Sequence, residues 1–248
     1  MGGKKTGREK QHAGKNQPQG REQRHQQAEQ HHRGRNQHHG AAIQTVFSKF
    51  FRFGKVIVEH DISAVALATC EDRPGIVAIL SSGSNAAYFN GKKIKENNYG
   101  LGFILADEGS SNWMGRHLLK SFLTKKLPAE LEQKFVQKYP LDKKTILDKV
   151  YRHIQPTLFL SSFIDFLFEN RKEEYVNSMV LQGFDEFFIK YIIPLSKKYP
   201  TIPINFAGTV AWGFKEELML IAEQRGLPLN TIIKDPILNV LNYYINKN

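Results

Sequence analysis

The chain of 248 residues has one cysteine, Cys70. A single thiol excludes a disulfide framework and any structural zinc site built from several thiolates. No apolar run approaches the roughly 18–20 residues that a membrane span needs. The N-terminus is positively charged but has no apolar stretch behind it, so it does not read as a secretory signal. It also lacks the amphipathic pattern and serines of a transit peptide. A cytoplasmic protein without a membrane partner is the expectation. Residues 1–40 lack almost everything a core requires: their only hydrophobic-class residues are Met1, Ala13 and Ala28, and they hold no aromatic residue and no aspartate.

What these forty residues do contain is charge. Lys+Arg total 35 against 24 Asp+Glu, for a net +11, and nine of the basic residues but three of the acidic ones fall in 1–40. So +6 of the net charge sits in this segment and +5 in the 208 residues that follow. A segment this polar cannot bury enough apolar surface to offset the entropy of ordering it, which predicts disorder. Lys/Arg clusters gain affinity for nucleic acid by releasing counterions. Here they are diluted by Gln and Gly and have no aromatic residue to stack on bases, which argues against nucleic acid as the partner. The pairs His31-His32 and His38-His39 read as adventitious metal binders rather than a designed site.

Residues 41–248 are rich in Phe, Ile and Leu and suffice for one large domain or two lobes. The spacing predicts a helix over 41–53 stopped by Gly54, a short strand over 55–59 and a helix over 62–70. A buried strand over 76–80 runs into Ser81-Ser82-Gly83-Ser84-Asn85. Residues 86–89 and 92–95 flank Asn90-Gly91 as a hairpin, and 99–105 reads as a glycine-broken strand. Helices follow over 112–125, 128–139, 142–152, 158–170 and 173–198. Strands over 202–206 and 229–234 alternate with helices over 214–225 and from Pro236 to about 245, with Gly226 as a C-cap. This order is α/β, a mixed sheet first and crossover units afterwards.

Three places have materials for chemistry. Ser81–Asn85, at a buried strand's tip, is either a turn or a concavity of hydroxyls and N–H groups for an anion or a sugar. In Gly100–Ser111, Asp107 or Glu108 either caps the next helix, holds a sugar hydroxyl or organises a metal. Asp61 either caps the helix after it or presents a carboxylate to a cleft.

Together these stretches resemble the N-acetylglucosamine kinase family, of the actin-like (sugar kinase/Hsp70) ATPase superfamily, over roughly residues 53–248. Val58-Glu59-His60-Asp61 is similar to the strand end carrying that family's catalytic aspartate. Ser81–Asn85 resembles its Gly-Thr-Gly-Ser-Asn loop. Gly100-Leu101-Gly102 with Ala106-Asp107-Glu108-Gly109-Ser110 resembles its Gly-Trp-Gly…Gly-Asp-Glu-Gly-Ser stretch. Gly208-Thr209-Val210-Ala211 looks like its Gly-Ser-Val adenosine-side motif, and Ile233–Pro236 like the lead into its final helix.

The resemblance implies an actin-like, RNase H-like ATPase fold. It implies a remnant of an N-terminal lobe over 41–75, a C-terminal lobe over 76–228 and a final strand and helix over 229–248 packing back on the first lobe. It implies ATP and Mg2+ as cofactors, an amino sugar as substrate and no resident metal ligand. Asp61 would be the general base at the sugar 6-hydroxyl. Gly83, Ser84, Asn85, Gly100, Leu101, Gly102 and Asp107 would hold the sugar, while Ser82, Gly208 and Thr209 would face the nucleotide. The chain departs from the pattern at Ser81, Ser82, Leu101 and Ala106, where a Cβ at 81 or 106 is harmful if the backbone needs positive φ. The family's opening Asp-x-Gly-x-Thr phosphate loop has no counterpart, since no aspartate precedes Asp61. The expectation is that residues 1–40 stand where that lobe belongs, in a truncated or out-of-frame beginning. Weak or no phosphorylation would follow, and exposed apolar surface would favour a homodimer. Two other readings stay open: an activating ATPase of the 2-hydroxyacyl-CoA dehydratase type, whose iron–sulfur cluster needs more cysteines than Cys70, and a non-catalytic protein whose basic tail binds nucleic acid.

Overall fold

The computed structural model describes residue 2 and residues 40–97 and 100–247. The disorder expected over 1–40 therefore lies outside the described residues, apart from Gly2 and Gly40. The chain divides into two units, Met1–Val58 and Glu59–Asn248.

In the first unit, α1 spans 40–50. The Thr45 hydroxyl donates to the Ala41 carbonyl (2.8 Å), and the Phe51 N–H closes the last turn on Phe47 O (2.8 Å). Its apolar residues Ile43, Val46, Phe47 and Phe50 are exposed. The strand expected over 55–59 does not form. A lone alternating segment has no partner strand to pair with, and the Val56 carbonyl instead accepts from the Gln44 side-chain amide (2.8 Å).

The second unit begins with α2 (Asp61–Cys70), then β1 (Pro74–Leu80), β2 (Ser84–Asn90) and β3 (Ile94–Asn97). A helical block follows: α3 (Gly102–Leu105), α4 (Ser111–Leu123), α5 (Ala129–Lys138), α6 (Lys143–Tyr151), α7 (Pro156–Ser161), α8 (Ile164–Glu169), α9 (Glu174–Phe187), a π-helical turn (Phe188–Ile192) and α10 (Ile193–Lys198). It closes with β4 (Ile204–Ala207), α11 (Thr209–Gly213), α12 (Lys215–Gln224), β5 (Leu229–Ile233) and α13 (Ile237–Lys247). The strands form one mixed sheet in the order β3-β2-β1-β4-β5. β2 runs antiparallel to β1 and β3, whereas β4 and β5 run parallel to β1 through helical crossovers. The α/β expectation holds.

Alternation along the strands builds two apolar layers. Ile76, Ala78 and Leu80 of β1, Ala86 of β2 and Phe206 of β4 face the helical block. That side is rich in phenylalanine: Phe135, Phe163, Phe166, Phe184, Phe187, Phe188 and Phe214 are all sealed from solvent. Burying each such ring contributes roughly 1.5–3 kcal/mol. The other face, Val77, Ala87, Phe89 and Ala207, is covered by Ile62, Val65, Ala66 and Cys70 of α2, and α13 packs outside α2.

Three further expected elements differ. The stretch 99–105 is not a strand among its described residues: Gly100 (φ +50°) and Gly102 (φ +76°) are left-handed, and the chain makes the single turn α3, closed by Ala106 N–H on Gly102 O (2.8 Å). The helix over 158–170 is two, α7 and α8. The Ser161 and Ser162 hydroxyls donate to the carbonyls of Leu158 and Phe159 (3.2 and 2.8 Å) and compete with the ladder at the break. The helix over 173–198 is continuous but changes to i→i+5 bonding at Ile193 N–H to Phe188 O, just before Pro194, which has no N–H to give an α-ladder.

Candidate active site

Cys70, the end of α2, lies against Gly75 at the start of β1, so α2 runs back along the sheet and its first residue, Asp61, lies toward the end where β1 and β4 deliver their loops. Ligands of open α/β sheets bind outside the carboxyl ends of the parallel strands. Three of the sequence's candidate stretches meet there.

The loop after β1 is held down by the following helix. Ser111 and Asn112, the first residues of α4, donate their N–H groups to Ser81 O (2.9 Å) and Ser82 O (3.2 Å), and Ser110 caps the helix through Trp113 N–H (3.2 Å). These N–H groups are thereby occupied, so the α4 N-terminus is not a phosphate cradle. The Asp107 carboxylate lies over the loop, where its Oδ1 accepts from Ser84 N–H (3.2 Å). A Cβ on Gly83 would come within 3.1 Å of Asp107 Oδ2, so glycine makes room for the carboxylate. On the other side, Gly208 has φ +123°, and a Cβ there would stand 2.3 Å from Leu80 O. Only glycine lets β4's end lie against β1's. Beside it the hydroxyls of Thr209 and Ser81 meet at 3.3 Å. Loop 81–85, Asp107 and Gly208-Thr209 thus form one continuous rim.

Gly100, Leu101 and Gly102 connect to this rim indirectly. Phe103 O, in the turn they open, accepts from Arg116 of α4, and Leu101 is half exposed. Asp61 is exposed at the first position of α2 and accepts from Ile62 N–H (2.8 Å), with His60 in the capping position. No hydrogen bond joins it to the rim among the described residues. The Cβ atoms at 81 and 106 do no harm: neither residue has positive φ, and Ala106 sits at φ −149°.

Electrostatics separate the acidic neighbours. Burial pushes the Asp107 carboxyl up from its usual range, opposed by the Ser84 N–H and reinforced by the adjacent Glu108 charge. Glu108 is 6% exposed, and burial works against its ionisation too. Lys190 Nζ (2.7 Å) and Tyr191 Oη (2.6 Å) both donate to it and hold it below the ordinary value. Three sealed side-chain atoms near the loop, Ser84 Oγ, Asn85 Oδ1 and Asn112 Oδ1, have no partner among the described residues. Buried polar atoms are nearly always bonded, to protein, to ordered water or to a ligand. Asn112, Arg116, Lys190 and Tyr191 escaped the sequence reading. Asn112 had a faint signal, two positions past Ser110, whereas the other three have none without the fold.

No protein-family model matches the sequence, and no curated protein does. Among solved structures, the chain is similar to a Porphyromonas gingivalis protein provisionally assigned as an N-acetylglucosamine kinase. They share 33% identity over 82% of this chain and 72% of that one, with a TM-score of 0.78. The chain belongs to the N-acetylglucosamine kinase-like family. A Chromobacterium violaceum protein with the same provisional assignment covers 79% of this chain and 70% of its own at a TM-score of 0.61. Its 14% identity extends the likeness of fold alone. The mixed sheet and crossover helices of this kinase-like chain are therefore those of sugar kinases, in the actin-like ATPase class. Among its described residues no helix is long and apolar enough to cross a membrane.

The rim of this kinase-like chain offers a nucleotide no preformed recess at Gly208, where the missing side chain makes room for Leu80 O and the Ser81 Cβ. It offers little to magnesium either, since no group of three His, Cys, Asp or Glu side chains among the described residues is arranged for a metal. A cleft of about 590 Å3 lies elsewhere, between the C-terminal end of α2 and α13, walled by Asp72, Tyr243 and Lys247. These pair with one another at the surface and include none of the rim residues.

Proposed function

We propose that this chain binds an amino sugar, N-acetylglucosamine first among them, and that its chemistry is phosphoryl transfer from ATP to the sugar 6-hydroxyl. The observation that supports the reading best is the rim itself, loop 81–85 under the Asp107 carboxylate with Gly208 beside it, in a chain of this family. Asp107 accepts from sugar hydroxyls, and Ser84 and Asn85 supply polar atoms that have no partner among the described residues. Gly100, Leu101 and Gly102 close the sugar side. Ser82 and Thr209 face the nucleotide, whose magnesium would spread the negative charge of the transferring group.

Asp61 is the proposed general base. It takes the 6-hydroxyl proton as the bond from that oxygen to the γ-phosphorus forms and the bond to the ADP oxygen breaks, with ADP leaving on the electron pair. Exposure at a helix start leaves the second oxygen of its carboxylate open to a substrate, and its contribution depends on placement.

Titration calorimetry with N-acetylglucosamine, then with ATP and magnesium, tests the reading. We expect sugar binding in the wild type and weak turnover that disappears in Asp61→Asn with sugar affinity retained. A chain that binds neither ligand contradicts the proposal. Turnover that survives Asp61→Asn removes the base assignment.

A further inference from the structure

We propose that Lys190 and Tyr191, on the π-helical turn, are positioning residues that clamp Glu108 and through it present the Asp107 carboxylate to the sugar. The inference rests on the sugar-site reading of Asp107 given above.

Asp107 is one of four non-glycine residues at positive φ among the described residues (+64°), and Gly109 two positions on is also left-handed (+72°). A turn of this shape relaxes unless something fixes it. Within the turn there is one tie, Ser110 N–H to Asp107 O (3.0 Å). Gly109 is pressed against the Gly183 backbone of α9, the Ser84 N–H holds Asp107 Oδ1 (3.2 Å), and Glu108 adds a restraint from the helical block. Its side chain leaves the rim and runs into the helical block, where Lys190 Nζ and Tyr191 Oη converge on its two oxygens at 2.7 and 2.6 Å. Successive residues of an α-helix point about 100° apart, which ill suits two neighbours serving one carboxylate. The wider π-turn narrows that divergence, and such turns cluster at functional sites. The Tyr191 ring also packs against Phe187 at the core's edge (5.2 Å between ring centres), whereas among the described residues the Lys190 ammonium meets only the carboxylates of Glu108 and Glu186.

Charge gives the clamp a second effect. Asp107 faces Glu108 from its own turn, Arg116 from α4 and the Ser84 N–H from β2. Lys190 faces Glu108 and also Glu186 of α9 (3.2 Å), and His117 of α4 faces Glu186 from the other side. With Lys190 in place, Glu108 is neutralised and Asp107 ionises more readily. Without it, an unpaired Glu108 charge beside Asp107 pushes that carboxyl up further, so a higher pH is needed before it can accept from a sugar hydroxyl.

The test is calorimetry with N-acetylglucosamine as the probe, from acid to neutral pH, on the full chain and on Lys190→Met, Lys190→Arg and Tyr191→Phe, each with a thermal melt. The expected result is sugar affinity about tenfold weaker in Lys190→Met, with the acid limb of its affinity profile moved to higher pH. Lys190→Arg should restore both, and Tyr191→Phe should weaken affinity with a smaller movement of the limb. Wild-type affinity and an unmoved limb in Lys190→Met overturn the clamp while leaving the sugar site standing. So does a lowered melting temperature with an unmoved limb, because a purely structural pair would behave that way. A wild-type chain that binds no N-acetylglucosamine overturns the site reading and the clamp with it.

Discussion

Asp107 combines two costs in one residue: a left-handed backbone and a side chain that is itself buried. Its carboxyl holds its proton to higher pH in the native state than in the unfolded chain. Between those two values the native state binds more protons, so stability falls as pH rises through that window and the full cost is present at neutral pH. Asp107→Asn keeps an oxygen for the Ser84 N–H, tolerates positive φ at least as well and carries no charge. We expect it to raise the melting temperature at neutral pH and to flatten this part of the stability–pH curve. Sugar affinity, measured by calorimetry, should fall about tenfold or more, because a charged acceptor has been replaced by a neutral one. A variant that loses stability at neutral pH would contradict this account of Asp107.

At the scale of elements, close approaches decide how the helical block sits on the sheet. Gly115 of α4 faces α7, and a Cβ there would stand 2.0 Å from Leu160 O. That atom is backbone and cannot swing away, so Gly115→Ala must part the two helices. The expected cost is about 1–3 kcal/mol, read as a lower midpoint in urea unfolding with an unchanged slope. This is also where the sequence was partly legible. The apolar run of β1, the crossover order at the C-terminal end and Gly226 as the α12 cap (φ +61°) could all be read, because each depends on local pattern. The two glycines at 100 and 102 read in the sequence as a broken strand, since a sequence does not say on which side of the φ map a glycine lies. Loop 81–85, Asp107 and Gly208 were recognised as motifs one by one. That the Asp107 carboxylate rests on Gly83 and Ser84 depends on packing between residues more than twenty positions apart. The Glu108–Lys190–Tyr191 contacts span more than eighty positions and leave no trace in local spacing.

On the scale of the whole molecule, the two sides of the sheet are unequal. One side carries the phenylalanine-rich block. The other carries α2 and then α13, which has no buried residue and exposes Ile237, Leu238, Leu241, Tyr244 and Ile245. Exchanging exposed apolar residues there for charged ones, Leu241→Glu with Ile245→Lys, should shift unfolding free energy by no more than roughly 0.5 kcal/mol. Solubility, measured by precipitation with ammonium sulfate, should rise. A large loss of stability would mean that this helix face is packed rather than exposed. Cys70 lies beneath this same pair of helices, its thiol pushed up by burial, with Asn205 Nδ2 at 3.3 Å and Gly75 hard against its sulfur. Because no other residue in the sequence carries a thiol, its reaction with a disulfide reagent is a clock with a single hand. The rate of labelling counts how often α2 lifts from the sheet, without any introduced probe, and a sugar that tightens the rim at the far end of α2 would slow that clock.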